Sequence, residues 1–357
     1  MKATAIPPRT QDLSEGPLGV ALLRLERGDL ASARSSLAQA VAGGVSAGGN
    51  ASLFHGAPAL EFVLSRAGRA DRDVRDAVDR VVATRLAAAR RRQACGALPH
   101  LAEFDLIRGL SGLGALLLTR NDGTSLLEEV LTYLVSLSRP VRVDGRELPG
   151  WWSDTGPAGE EMDGGHGNNG VAHGIAGPLA VLSLATRHGV HVPGQLDAIA
   201  VFARWLDRHG HCYWTTRDQL SADEPPAAVA VRPSWCYGEP GIARTRQLAA
   251  IALDDQPRRL AAEDTLVRAL ADPDRLERIT DASLCHGWAG LLTLARAVAD
   301  DSPDSARFTP LIEDLGKRLA ADLDRLSKPG LMEGRAGAHL ALDGTNTTGW
   351  TRALLIS

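Results

Sequence analysis

The chain has 357 residues, of which 44% are hydrophobic and 23% are charged, and its formal net charge is −4. This balance is typical of a globular protein with a sizeable core and gives no support to nucleic-acid binding. No apolar run approaches the roughly eighteen residues that a membrane-spanning helix needs. The segment from Met1 to Gly16 also lacks the apolar stretch of a signal peptide. We therefore expect a cytoplasmic protein without a transmembrane segment.

The organising feature of the sequence is a turn in which two small residues stand three positions apart, followed by an apolar stretch. Six copies begin at Gly56, Gly109, Gly174, Gly238, Gly287 and Gly334. In the first copy Ala59 takes the place of the second glycine. Leading glycines are separated by 47 to 65 residues, a spacing typical of repeat architectures with one supersecondary unit per repeat.

The segments between the turns have a helical pattern. In the first of them, apolar residues recur at helical spacing at Val74, Val78, Val81 and Val82. Each segment has room for two helices of average length, so each repeat is predicted to be a helical hairpin whose turn leads into its second helix. No linker divides the repeats, and we expect residues 1–357 to form a single domain.

Three interruptions are predicted between the repeats. Asp144-Gly145, between two alternating segments, predicts a short β-hairpin over residues 141–148. The glycine-rich and acidic stretch over residues 156–170 and the proline-containing stretch over residues 221–233 are predicted to be loops.

The residue before the leading glycine is polar in every copy. These six residues are His55, Arg108, His173, Tyr237, His286 and Glu333. Because every turn occupies the same place in its repeat, we expect all six turns on one face of the assembly. A repeat built only for packing would not need polar residues there, so they predict the floor of an active site.

Two of the four cysteines lie in these turns, within Ser234-Trp235-Cys236-Tyr237-Gly238 and Leu284-Cys285-His286-Gly287. In a reducing compartment, isolated cysteines favour metal binding or catalysis over disulfide bonds. Cys236, Cys285 and His286 predict a three-ligand site for one Zn²⁺ per chain. The open fourth position of such a site is typical of catalytic zinc, and a third thiol could enter there. Cys95 and Cys212 lie outside the turns and are expected to be structural.

Several motifs together resemble a known family. They are Phe104–Gly112, Val171–Gly177, Arg232–Gly238, Leu284–Gly287 and Gly349–Leu355, in this order. Through them the chain resembles the lanthionine synthetase C-like (LanC-type) cyclases. The resemblance implies an all-α fold, an α/α toroid made of a double ring of helical hairpins, to which this sequence adds minor β-hairpin insertions. It also places zinc at the centre of one end of the toroid.

The resemblance further implies the reaction. Members of the family add a peptide cysteine to a dehydroalanine or dehydrobutyrine, which closes a lanthionine or methyllanthionine thioether ring. A dehydrated precursor peptide would then be the substrate. A separate dehydratase and an exporter would be protein partners.

Addition of sulfur to the alkene generates an enolate that must be stabilised and then protonated at carbon. By resemblance His173 is an active-site residue, and histidine exchanges protons near neutral pH, so it is the candidate acid. Asp105 is a candidate to orient that histidine or to help remove the thiol proton, with a helix cap as the alternative. Arg232 could hold the enolate oxygen or position Asp105, and Tyr237 could donate to the same charge.

Two other functions are compatible with the sequence. A zinc enzyme of the same family could add a small thiol such as glutathione to dehydroamino acids, which would increase the mass of its substrate. A non-catalytic scaffold in a peptide-modification complex would not need the zinc ligands. A sugar hydrolase on the same toroid would need paired carboxylates. Among the six residues before the leading glycines only Glu333 is an acid, and Asp105 lies four residues before Gly109.

Overall fold

The computed structural model describes residues 11–120, 125–221 and 232–357, and of Ser221 the backbone only. Seven helices begin at glycine turns: α1 (Pro17–Glu26), α3 (Ala57–Arg66), α6 (Leu110–Leu117), α8 (Ala176–Arg187), α11 (Glu239–Ala252), α14 (Trp288–Asp301) and α16 (Arg335–Asp343). The other helices are α2 (Leu30–Val41), α4 (Arg72–Ala94), α5 (Leu101–Phe104), α7 (Ser125–Ser136), α9 (Gln195–His209), α10 (Arg217–Ser221), α12 (Gln256–Ala271), α13 (Pro273–Leu276) and α15 (Thr309–Asp322). Short 3₁₀ helices cover Ser305–Phe308, Leu323–Arg325 and Trp350–Leu354.

The seven helices that follow the turns form a closed inner ring. Each contacts the next in chain order, and α16 returns to contact α1. Outside them, α2, α4, α7, α9, α12 and α15 each pack against the inner helix that precedes them. The inner helix α8 is buried continuously over residues 176–185, whereas the outer helix α4 buries only one face, as a double ring requires. The predicted α/α toroid is confirmed.

The ring contains one turn more than the sequence analysis found. Gly16-Pro17-Leu18-Gly19 leads into α1 in the same way as the other turns lead into their helices. Only 40 residues separate Gly16 from Gly56, which is shorter than every other step, so the spacing did not reveal it. This turn supplies the helix that closes the ring beside α16.

Backbone hydrogen bonds join successive turns at one end of the toroid. The amide of Leu106 donates to Ala172 at 3.1 Å, and the amide of Cys236 donates to Cys285 at 3.1 Å. The remaining links run from Val171 to Cys236, from Cys285 to Met332, from Met332 to Ser14 and from Leu13 to Phe54, at 2.8 to 3.0 Å. The expectation that the turns share one face is therefore confirmed.

The second glycine of a turn is required because the chain approaches itself closely. A Cβ on Gly290 would overlap the carbonyl oxygen of Leu284, six residues earlier, and a Cβ on Gly112 would overlap that of Leu106. The same overlap would occur at Gly19, Gly241 and Gly337. These five inner helices thus start in contact with the segment of chain that enters their own turn.

Five short strands lie beside the ring. The predicted hairpin is confirmed as β1 (Val141–Val143) and β2 (Arg146–Leu148), with positive φ at both Asp144 and Gly145. The predicted loop over residues 156–170 is wrong, because it contains β4 (Glu161–Asn168). This strand pairs with β3 (Ser153–Thr155) and β5 (Trp214–Thr216).

The glycine-rich composition of β4 is the reason why the sequence predicted a loop there. Gly165 leaves space for the indole of Trp152, and Gly167 leaves space for that of Trp205. Glycines that normally indicate a loop therefore allow aromatic packing in this strand. Of the predicted loop over residues 221–233, residues 222–231 lie outside the described residues. Among the helices that are described, none combines the length and the apolar character needed to cross a membrane.

The close approach at the second glycine predicts that a methyl group added there lowers the stability of the fold. We expect Gly290→Ala to lower the free energy of unfolding by about 1–3 kcal/mol, because an extra methyl in a packed contact forces the backbone to move. Gly316→Ala is the matched control, since Gly316 lies in α15 with open space around it and alanine favours the helix. Chemical denaturation of both variants checks this, and an unchanged stability in Gly290→Ala would contradict the role of the glycine.

Candidate active site

The structure brings together the three predicted metal ligands. One ligand atom each from Cys236, Cys285 and His286 lies within 4.8 Å of the others. Cys236 stands on the turn before α11, and the other two residues stand on the turn before α14. These turns are adjacent because the amide of Cys236 donates to the carbonyl of Cys285. Two sulfurs and one imidazole nitrogen suit a tetrahedral Zn²⁺ with one position left open.

A carboxylate that the sequence analysis did not select fixes the orientation of His286. Asp281 Oδ2 lies 3.0 Å from His286 Nε2, while Asp281 Oδ1 accepts from the amide of Ser283 at 2.7 Å. The hydrogen bond with Asp281 raises the pKa of His286 to about 9, with a further contribution from Cys236. Because Nε2 is engaged, Nδ1 is the nitrogen left for a metal ion. The sequence signal was an aspartate five residues before the histidine, which is weak without the turn geometry.

The thiols of Cys236 and Cys285 are hydrogen-bonded to each other, and their pKa values are shifted in opposite directions. The hydrogen bond from Cys285 lowers the pKa of Cys236 well below its ordinary value, against the opposing effect of burial and with further help from His286. The same hydrogen bond and burial raise the pKa of Cys285. A bound cation would favour the second ionisation, since metal ions bind the thiolate form.

His173 and Asp105 form a hydrogen-bonded pair. Asp105 is fully buried, and its Oδ2 lies 2.7 Å from His173 Nδ1. Its Oδ1 accepts from the amides of Arg108 and Gly109 at 2.6 and 2.8 Å. Asp105 therefore both orients the histidine and caps its own turn, which combines two alternatives that the sequence left open. With Nδ1–H donating to the carboxylate, Nε2 of His173 is free to exchange protons.

Tyr237 lies beside this histidine. The two rings stack with centroids 6.3 Å apart and planes inclined by 26°. Asn168 on β4, which the sequence analysis did not select, donates to the phenol oxygen at 3.0 Å. Burial raises the pKa of Tyr237, and the nearby charges of Cys236 and Asp105 act in the same direction. The phenol therefore stays neutral and can donate its own hydrogen.

Arg232 acts on the metal ligands through its charge. This positive charge opposes protonation of His286. In the described part of the chain, Asp105 is held by His173 and backbone amides, and it makes no contact with Arg232. The suggestion that Arg232 positions Asp105 is therefore not supported, whereas a role toward substrate remains a prediction.

The six polar residues before the leading glycines divide into two groups. His173, Tyr237 and His286 surround the cluster described above. Of the other three, Arg108 donates to the Pro157 carbonyl, and the backbone of His55 pairs with that of Ser52. Glu333 pairs with Lys328, and its charge also helps to raise the pKa of Cys285.

Comparisons with known proteins identify relatives in sequence and in fold. The nisin biosynthesis protein NisC of Lactococcus lactis subsp. lactis is 26% identical over 277 residues, which cover 71% of this chain and 64% of that protein. The match thus spans less than two thirds of the length of that relative. The solved structure of nisin cyclase superposes with a TM-score of 0.79 at 22% identity, covering 97% of this chain and 92% of that one. The sequence model of the family described as lanthionine synthetase C-like protein matches residues 7–355. With this match over nearly the whole chain, the protein belongs to the lanthionine synthetase C-like family.

Proposed function

We propose that this protein is a Zn²⁺-dependent lanthipeptide cyclase. It would add cysteine thiols of a dehydrated precursor peptide to dehydroalanine or dehydrobutyrine, forming lanthionine or methyllanthionine. The observation that carries the proposal is the placement of a two-cysteine, one-histidine cluster beside the hydrogen-bonded pair of Asp105 and His173. The name and biosynthetic role of the relative NisC support the same assignment.

The ligand set suits chemistry on sulfur. When bound, Zn²⁺ would lower the pKa of an incoming thiol so that it reacts as the thiolate. Cys236 and Cys285 as thiolates would cancel both charges of the ion, and His286 would add none. Such an electron-rich site favours a nucleophilic sulfur over hydrolysis of water-labile bonds, for which histidine and carboxylate ligands are typical.

The residues around the cluster supply the remaining steps. The substrate sulfur forms a bond to the β-carbon of the dehydroamino acid, and the alkene electron pair moves onto the carbonyl oxygen as an enolate. Tyr237, which stacks beside His173, and Arg232, whose charge acts on His286, would stabilise that negative charge. Nε2 of His173 delivers a proton to the α-carbon while Asp105 stabilises the charged imidazole. The proton lost by the thiol equals the proton gained by carbon, so ring closure leaves the mass of the peptide unchanged.

The rival functions make different use of the same residues. Addition of a small thiol such as glutathione would use the same cluster and would increase the substrate mass. A scaffold would need neither the cluster nor the Asp105–His173 pair, and the presence of both disfavours it. We further propose a separate dehydratase and an exporter as partners, a cytoplasmic location, and a single domain over residues 1–357, in which α1 and α16 pack together.

The contact between Asp281 and His286 predicts the effect of removing one charge from the metal site. We expect Asp281→Asn to weaken Zn²⁺ binding about 10- to 100-fold, because the residue that orients a metal-binding histidine contributes this much to affinity. Competition with a chelator at pH 9.5 measures it under conditions where His286 is largely deprotonated. Asp304→Asn, at an exposed aspartate, is the matched control. Equal Zn²⁺ affinities of the two variants would contradict the role of Asp281 in orienting His286.

Zn²⁺ binding should also release protons in a pH-dependent way. In the metal-free chain the pKa of His286 is raised to about 9, so at pH 7 the ion must displace its proton. Apparent affinity should therefore increase as the pH rises from 7 to about 9. Calorimetry in buffers of different ionisation enthalpy counts the released protons, and Asp281→Asn should release fewer at pH 7.

The proposed acid can be separated from the metal site. We expect His173→Asn to retain one Zn²⁺ per chain and to lose about 10²- to 10⁴-fold in cyclisation rate, because it removes only proton transfer. Cys285→Ala should lose both metal and activity, whereas Cys95→Ala, at an exposed cysteine, should lose neither. The substrate is a synthetic peptide with one dehydroalanine and one cysteine a few residues apart.

Mass spectrometry after thiol alkylation distinguishes the three functions. A cyclised peptide keeps its mass and resists alkylation. Addition of glutathione, offered in the same reaction, would instead raise the mass and favour the rival enzyme. No reaction in the zinc-loaded protein with either thiol would favour the scaffold.

A further inference from the structure

A cavity lies at the end of the toroid opposite the glycine turns. It has a volume of about 570 Å³. Arg66, Arg187 and Asp301, which line it, are the last residues of α3, α8 and α14. Because these helices begin at the turns, the cavity is separated from the metal ligands by the length of an inner helix, roughly 15–20 Å. The mechanism proposed above does not use it.

Positive charge dominates this cavity. Five arginines line it (Arg66, Arg187, Arg244, Arg296 and Arg352), against two acidic side chains, Asp300 and Asp301. Asp301 pairs with both Arg187 and Arg244, at 2.6 and 2.8 Å. Burial lowers the pKa of Arg296 and the charge of Asp300 opposes that shift, but the two side chains do not form an ion pair. The ion pairs therefore leave a surplus of positive charge, which is concentrated on the arginines that have no carboxylate partner.

Two of these arginines converge on one point. The position that a Cβ would occupy on Gly349 is 3.0 Å from Arg66 Nη1 and 3.5 Å from Arg352 Nε, so these nitrogens are at most 6.5 Å apart. Arg66 donates to the Thr348 carbonyl. Neither arginine pairs with a carboxylate in the described part of the chain. Gly349 has φ of 71°, a left-handed conformation that favours glycine.

The like charges at this point repel each other. Burial and, second to it, the charge of Arg352 together lower the pKa of Arg66 to about 10. His188, which also lines the cavity, has its pKa lowered by burial first and then by Arg352 and Arg187. An anion between these groups would relieve the repulsion and replace the lost hydration.

We propose that this cavity binds a small molecule that bears a phosphate group, with its oxyanion held by Arg66 and Arg352. Guanidinium groups bind phosphate oxygens in bidentate geometry. A doubly charged anion matches the surplus better than a single carboxylate does, since three more arginines than aspartates line the cavity. The volume suits a ligand of metabolite size. The site is independent of the cyclase function proposed above.

The test measures binding of inorganic phosphate and pyrophosphate to the zinc-loaded protein by calorimetry, at constant ionic strength maintained with chloride. We expect saturable binding, and Arg352→Gln should weaken it about tenfold or more, because one charge-assisted contact is lost. The exposed Arg139→Gln is the matched control and should bind as the parent does. Binding should persist in Cys285→Ala, which excludes phosphate bound at the metal.

Two further measurements keep the proposal testable if Arg352→Gln folds poorly. In the parent protein, pyrophosphate should raise the pKa of His188, followed by NMR titration, because an anion favours the charged imidazole. Succinate, a dianion without phosphate, should give the smaller response. No saturable binding, equal weakening in Arg139→Gln, an unchanged His188 or an equal response to succinate would each overturn the assignment.

Discussion

Every part of the candidate site depends on the backbone hydrogen bonds that join one glycine turn to the next. These bonds determine which turns are neighbours. They place the Asp105 turn beside that of His173, the His173 turn beside that of Cys236, and the Cys236 turn beside that of Cys285. The proton-transfer pair and the metal ligands therefore form one continuous row. Glycine makes the row possible, because each inner helix must start against the carbonyl of the chain that enters its turn.

Within this row, two carboxylate–histidine pairs use opposite ring nitrogens. Asp281 engages Nε2 of His286, which leaves Nδ1 for a metal ion, and Asp105 engages Nδ1 of His173, which leaves Nε2 for substrate. Each carboxylate is itself held by backbone amides of its own turn. The turns thus fix the tautomer and the orientation of both imidazoles before any ligand binds, and preorganisation of this kind lowers the cost of reaching the transition state.

The sequence predicted the parts of this arrangement that repeat. Regular spacing revealed six turns and the helices between them, and the polar residues beside the glycines included Tyr237, His173 and His286. Two residues of the site that lie outside the repeated turn positions were not predicted. Asp281 and Asn168 lie outside the motif and act only through folding, as a partner of His286 and a donor to Tyr237. The strand β4 was missed for a related reason, since its glycines reflect neighbouring indoles and not a loop.

The direction of the inner helices gives the two ends of the toroid opposite character. Their N-termini lie at the turns, where the positive end of the helix dipole favours thiolate ligands and a developing enolate. Their C-termini lie at the far end, where the dipole favours cations, and Arg66 and Arg187 occupy the last positions of α3 and α8. The dipoles explain why these arginines are tolerated there. The helix dipoles do not explain the position of Arg352. This residue lies on a 3₁₀ helix beside Arg66, outside the helices of the inner ring. A residue that adds charge to an end already rich in cations is best explained by an anion that binds there.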